Sequence, residues 1–168
     1  MPARTSAGIL LYRLSPGSGC EVLLGHMGGP FWARKDEGSW SIPKGEHGPD
    51  DEPLDVARRE FEEELGSPVP ATDLVPLGQV RVTSGKLLTV WAAAGDLDAA
   101  ASRSNTFTIE WPPRSGRLQE FPEIDRSAWF PVDEARRRLV RGQVPFLDRL
   151  LEHLPGSGAP AGTPEPGR

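Results

Sequence analysis

Hydrophobic and polar positions along this chain fall into short blocks separated by glycine and proline. Residues 5–14 (TSAGILLYRL) and 21–26 read as apolar, β-rich runs, and Trp40-Ser41-Ile42-Pro43 as a short strand. Residues 74–83 and 86–94 read as two strands joined by a Ser84-Gly85 turn, a hairpin signal. Residues 106–111 form another candidate strand and 128–130 a short one. Pro131 begins an amphipathic helix to about residue 140, and Pro145 a second to about residue 154.

The clearest helical pattern lies between these strands. Pro53 suits a first helical turn, because its ring fixes φ and its missing N–H is not needed there. Asp50, Asp51 and Glu52 precede it, giving an N-cap and negative charge where the helix dipole favours it. Gly66 supplies a C-terminal stop, with Pro68 two residues on. At about 100° per residue, Leu54, Ala57, Phe61 and Leu65 make one apolar stripe. Glu60 and Glu64 flank that stripe, and Glu63 sits further round.

Glu60, Glu63 and Glu64 are spaced i, i+3 and i+4, so their carboxylates are neighbours on the helix surface. Clustered carboxylates repel unless a cation neutralises them, and hard oxygen donors of this type suit magnesium or manganese. A second account competes on the helix alone. Arg58–Glu62 and Arg59–Glu63 could be ordinary i,i+4 pairs on a solvated face. The preceding segment favours the metal: Gly45, Gly48 and Pro49 make a turn-rich stretch after the Trp40 strand. The order is then strand, loop, helix, with carboxylates facing the loop.

Residues 45–66 (GEHGPDDEPLDVARREFEEELG) resemble the Nudix box, G-x5-E-x7-R-E-U-x-E-E-x-G-U with U apolar, the signature of Nudix hydrolases. Counting from Gly45, Arg59-Glu60-Phe61-Glu62-Glu63-Glu64-Leu65-Gly66 fits in full. Two positions depart. Asp51 stands where the family has Glu, with Glu52 beside it to offer the missing length, and Ser67 takes the last apolar place. The resemblance implies an α/β/α sandwich around a mixed central β-sheet, the box forming its loop–helix–loop. It implies Mg²⁺ (or Mn²⁺) held by the Gly45 carbonyl, Glu60, Glu63 and Glu64, with Glu63 or a neighbour as base. Arg59 would anchor the carboxylates by bidentate pairing. An additional acid after the box is also implied; Glu120 and Glu123 are the candidates, with Glu123 the expected catalytic one. The reaction would be cleavage of a phosphoanhydride in a nucleoside diphosphate linked to a further group. The leading substrate reading is an NTP or a dinucleoside polyphosphate (Ap4A-like), the latter slightly favoured because Ile42-Pro43-Lys44-Gly45 resembles the Leu-Pro-Lys-Gly of diadenosine polyphosphate hydrolases in this family; nucleotide sugars, NADH and capped RNA stay open.

Lys44, Arg34 and Lys35 flank the Trp40 strand and are the candidate substrate-binding cations, since a polyphosphate needs neighbours to balance its remaining charge. Trp32, Trp40, Trp91 and Trp111 could stack on a base or serve as packing. The stretch from Glu110 to Glu123, with Arg114 and Arg117, reads equally as a recognition rim or a proline-stiffened loop. His47 stands in the box loop and is read as exposed; His26 and His153 are scattered.

Composition changes this picture only at its edges. The 168 residues fit one domain, 1–154, followed by a Pro/Gly-rich tail, 155–168, expected to be disordered. A net charge of −5 without a basic stripe argues against broad nucleic-acid binding. No apolar run approaches the roughly 20 residues of a membrane span, and no signal sequence is evident, so a soluble, cytoplasmic protein is expected. The partner that the resemblance implies is a small-molecule nucleotide, and a homodimer is compatible with it. Cys20 is alone, which excludes an internal disulfide and a cysteine-based zinc site, and is read as a buried or partly buried strand-edge residue. A non-catalytic nucleotide-binding regulator and a purely structural domain are the competing classes. Loss of a box glutamate would favour the first, and lack of metal affinity the second.

Overall fold

The computed structural model describes residues 4–17, 19–83 and 85–154. The expected tail 155–168, and Ser84 of the expected turn, lie outside them. The strands are β1 (Arg4–Ser15), β2 (Gly19–Met27), β3 (Trp40–Ser41), β4 (Lys44–His47), β5 (Leu74–Thr83), β6 (Lys86–Ala94), β7 (Thr106–Glu110), β8 (Leu118–Pro122) and β9 (Ile124–Pro131). The helices are α1 (Pro53–Leu65), α2 (Val132–Arg138) and α3 (Pro145–His153).

The main sheet runs β3-β2-β1-β6-β5, with β9 on the other edge of β2 and β4 against β1. It is mixed: β1 and β6 are parallel, the other pairs antiparallel. Alternation along β1 explains the layers. Ala7, Ile9 and Leu11 pack with Ala57, Phe61 and Leu65 of α1, whereas Leu10 turns to the opposite core with Phe146, Leu147 and Leu150 of α3. Phe61 and Leu65 are fully buried, each contributing about 1.5–3 kcal/mol through the apolar surface removed from water. The α/β/α sandwich with a mixed sheet expected from the box is therefore what the chain forms.

One irregularity shapes the site. β1 pairs with β2 only through its last residues, Tyr12 to Ser15, and with β4 through its first, Thr5 to Gly8. β2 in turn leaves β1 and pairs its far end, Gly25 and His26, with β3. The two strands splay, and residues 40–47 wedge into the fork; Ile9 N–H donates to the Pro43 carbonyl there (3.2 Å). This corrects the turn expected at Gly45. Gly45 lies inside β4, paired with Ala7, because the open edge of β1 supplies hydrogen-bond partners that turn propensity does not foresee.

The remaining differences have similar causes. β8 was not foreseen as a strand; it pairs with β7 in a two-stranded sheet of mostly exposed residues, so no apolar pattern marks it. β9 extends well beyond residues 128–130 because it pairs along β2 from Pro131 to Ile124. α2 ends at Arg138 rather than near 140, since Leu139 turns extended and Val140 N–H donates to Trp40 O (2.8 Å). On α1 the N-cap is Glu52, without a side-chain cap bond; Asp51 instead accepts from Gly48 N–H (2.8 Å) and closes the loop. Gly66 ends the helix in the left-handed conformation, as glycine at that place predicts.

Candidate active site

α1 presents its acidic residues in three different settings. Glu64 is buried, Glu60 is largely covered, and Glu63 is exposed at the helix edge. Covering comes from β4: the Glu60 carboxyl packs against Gly45 where a Cβ would stand. Only glycine permits that approach. The site thus joins the first residue of the box to its helix.

Electrostatics follow from this burial. Desolvation pushes the Glu64 carboxyl up from 4.5 to about 8; Glu60 and Glu123 add repulsion, while the Lys44 charge and a backbone hydrogen bond at Lys44 pull the other way. Glu60 is also raised, by desolvation first and then by Glu63 and Glu123, with Arg59 opposing. Both acids therefore feel Glu123, which comes from a distant part of the chain. Its placement can be traced through the backbone. Arg103 N–H and Asn105 N–H donate to Leu65 O (3.0 Å) and Glu63 O (2.8 Å), satisfying carbonyls left open at the end of α1. Asn105 O then accepts from Glu123 N–H (2.9 Å), and Glu123 O from Gly28 N–H (2.9 Å). The other candidate, Glu120, points to the β7–β8 pair and accepts from Thr106 Oγ1 (2.6 Å).

Arg59 lies 3.7 Å from Glu60 and 3.9 Å from Glu63. Those separations are too long for the bidentate hydrogen bonds expected from the sequence. Arg59 is half-exposed and bridges two carboxylates loosely, a geometry that balances charge more than it fixes position.

Beside β4 opens a cleft of about 620 Å³, within the range of small-molecule sites. Lys44, Gly45 and Trp32 line it, with Leu88 and Val140 among its apolar surfaces. Arg34 and Lys35 do not line it; they lie on the exposed loop, and Lys35 Nζ sits 5.2 Å from the Trp32 ring centre. Of the tryptophans weighed as stacking partners, only Trp32 faces the cleft. Trp40 is core, edge-on to His26 and Phe130; Trp91 packs beside α1; Trp111 meets Phe31 edge-on at 5.3 Å. His47 is half-buried, and Cys20 is buried with its thiol pushed up to about 11 by desolvation, which suits a strand residue and not a nucleophile.

Two residues that sequence reasoning passed over organise the surroundings. His26 is fully buried, its Nδ1 2.8 Å from Asp125 and its Nε2 2.7 Å from the Lys35 carbonyl, which fixes the loop bearing Trp32. Buried Gln143 accepts from Ile42 N–H (2.8 Å) and donates to Ser41 Oγ (3.0 Å), holding the strand that leads into Lys44. A lone His or Gln carries no spacing signal, so neither was legible.

The donor set can be tested for a divalent cation. Among the described residues, no three Asp, Glu, His or Cys side chains stand together as a finished site. What exists is a pair of desolvated carboxylates, Glu60 and Glu64, each destabilised as an anion by burial and by its acidic neighbours. Hard oxygen donors in that state fit magnesium or manganese, which would relieve the repulsion.

A family model described as the NUDIX domain matches residues 2–154. The chain therefore belongs to the Nudix family of hydrolases. Among solved structures it resembles a C. elegans Ap4A hydrolase binary complex (TM-score 0.60, 19% identity, covering 86% of this chain and 94% of that one). It also resembles the NUDIX domain of Shewanella oneidensis NrtR complexed with ADP ribose (0.63, 15%, 92% and 90%) and a mutT/nudix family protein from Listeria innocua (0.59, 17%, 90% and 94%). Identities this low speak to the fold. No curated protein matches the sequence. No helix among the described residues is long and apolar enough to cross a membrane.

Proposed function

We propose that this hydrolase is a magnesium-dependent pyrophosphohydrolase that cleaves a phosphoanhydride in a nucleoside diphosphate derivative, an NTP or a dinucleoside polyphosphate. The observation that carries the reading is that Glu60, packed against Gly45, and the buried Glu64 are two desolvated carboxylates that both feel the charge of Glu123, while Gly45 and Lys44 also line the cleft that Trp32 faces. Glu60, Glu64 and the Gly45 carbonyl are the residues that would hold Mg²⁺ (or Mn²⁺), with Glu63 at the edge. When bound, the cation would neutralise the phosphates and draw charge from the anhydride.

The chain's own groups do the rest. Lys44 offers its ammonium to substrate phosphate, and the Trp32 ring a face on which a base can stack. Glu63 and Glu123 are the two candidates to take the proton from an attacking water, Glu63 from the exposed edge of α1 and Glu123 as the distant acid that Glu60 and Glu64 both feel; Arg59 tempers the charge of Glu60 and Glu63. Water adds to phosphorus as the bridging oxygen leaves, giving two phosphorylated products. The Ap4A hydrolase among the similar folds agrees with the Ile42-Pro43-Lys44-Gly45 reading and supports a dinucleoside polyphosphate. A cytoplasmic setting suits such substrates.

The test is a nucleotide panel incubated with Mg²⁺, using the wild-type chain and Glu63→Gln. Turnover that falls by ~10²-fold or more in the variant supports the enzyme with Glu63 as base. A fully active variant would move that role to Glu123. Tight nucleotide binding without products would mean a regulator built on the same scaffold.

A further inference from the structure

The far end of the cleft carries positive charge that the reaction centre does not use. Lys86 and Arg141 line the cleft there, both exposed, while half-buried Lys44 lines it at the Gly45 end. Glu46 is the one carboxylate among the described lining residues, and it lies 3.6 Å from Arg4. Lys44 already acts on Glu64. Lys86 and Arg141 are thus left facing the cleft in a chain whose net charge is −5.

Strand register gives the spacing. Lys44 pairs with Gly8 on β1, and Lys86 with Arg4, four residues back along the same strand. At about 3.3 Å per residue the two backbones differ by roughly 13 Å along the strands, and by about 10 Å across two strand spacings. That separates two ends of one cleft. The far wall is also firmly built: Gly142 packs directly on the Val82 backbone, where a Cβ would collide, so the turn bearing Arg141 is clamped to the end of β5. Gln143 ties the same turn to Ile42 and Ser41, next to Lys44. Both ends are therefore held on one frame, and Trp32 and Leu88 line the same cleft.

We propose that Lys86 and Arg141 form a second anion subsite, which selects nucleotides carrying a phosphate on the ribose 2′- or 3′-hydroxyl in addition to the 5′-linked anhydride. This rests on the reading of the cleft as the nucleotide site. The anhydride lies at the Gly45 end beside the carboxylates, and a cleft of this volume holds about one nucleoside unit. Anion-binding groups at the opposite end then meet the sugar side of that unit. Arg141 offers the planar fork that matches a phosphate, and Lys86 a mobile point charge.

The experiment is calorimetric titration of the full chain, in Mg²⁺, with AMP, adenosine 3′,5′-bisphosphate, adenosine 2′,5′-bisphosphate and inorganic triphosphate. One of the bisphosphates should bind about tenfold more tightly than AMP, the effect of one well-formed charged hydrogen bond. Lys86→Gln with Arg141→Gln should abolish that ratio, each single variant should reduce it, and Arg81→Gln, a charge loss outside the cleft lining, should leave it intact. Equal affinities for AMP and both bisphosphates overturn the proposal, as does a preference that survives the double variant. Loss of the preference on competition with inorganic triphosphate, with triphosphate affinity itself lost in the double variant, would assign the subsite to a phosphate chain and also overturn it. Melting curves establish that the variants are folded. If nucleotides are hydrolysed and AMP binds while the bisphosphates gain nothing, this inference alone fails; if AMP does not bind and no nucleotide is turned over, the reading of the cleft fails with it.

Discussion

Replacing Glu64 by Gln should make the metal-free protein more stable, and by an amount that depends on pH in a defined way. The native carboxyl is raised from 4.5 to about 8, chiefly by desolvation. A raised acid favours the protonated folded form, so its contribution is fully present below about pH 4.5 and is lost as pH rises through about 8. Glutamine has the same shape and no charge at any pH. The stability gap between Glu64→Gln and wild type should thus open above pH 4.5, widen by at most about 1.4 kcal/mol per pH unit, and level off above about pH 8. The ceiling is on the order of 5 kcal/mol, reduced by whatever relaxation lets water reach the anion. Urea denaturation in EDTA at several pH values, comparing the two chains, measures the gap directly and cancels other titrations. Millimolar Mg²⁺ should narrow the gap at high pH, because wild type gains by ligand linkage and the variant largely does not. A gap that does not change with pH, or a variant less stable than wild type at high pH without metal, would refute the burial argument and with it the metal-holding role.

Three further outcomes follow from the geometry. Glu123→Gln should lower kcat by ~10²-fold or more if this acid takes the proton, whereas Glu120→Gln, which only frees Thr106, should change it by less than about threefold; the reverse ordering in steady-state kinetics would remove Glu123 from the site. Gly45→Ala forces a methyl into the Glu60 carboxyl, and about 1–3 kcal/mol of stability should be lost together with Mg²⁺ affinity; an unchanged midpoint in urea would show that Glu60 moves aside freely. Gln143→Ala strands the buried Ile42 N–H and removes one donor to Ser41 Oγ, which keeps its own bond to the Ile42 carbonyl, so about 1–3 kcal/mol of destabilisation is expected from thermal or urea unfolding, and a neutral result would mean water replaces the amide.

Much of this site was legible in the chain. The i, i+3, i+4 spacing of Glu60, Glu63 and Glu64 and the apolar stripe of Ala57, Phe61 and Leu65 are local properties of one helix, and periodicity fixes which face is buried. Hairpin strands β5 and β6 were equally clear, since their partners are adjacent in sequence. Long-range facts were not. That Gly45 sits in a strand depends on the splaying of β1 from β2, and that Glu123 rather than Glu120 joins the acids depends on Asn105 bridging α1 to a segment 60 residues away in sequence. The opposed cations of the cleft likewise come from the ends of three separate elements. Sequence alone determined the chemistry available on the helix, because helical geometry is set by neighbouring residues. Tertiary structure decided which of those charges lose their water and which distant groups face them, because desolvation and through-space repulsion depend on the whole packed chain.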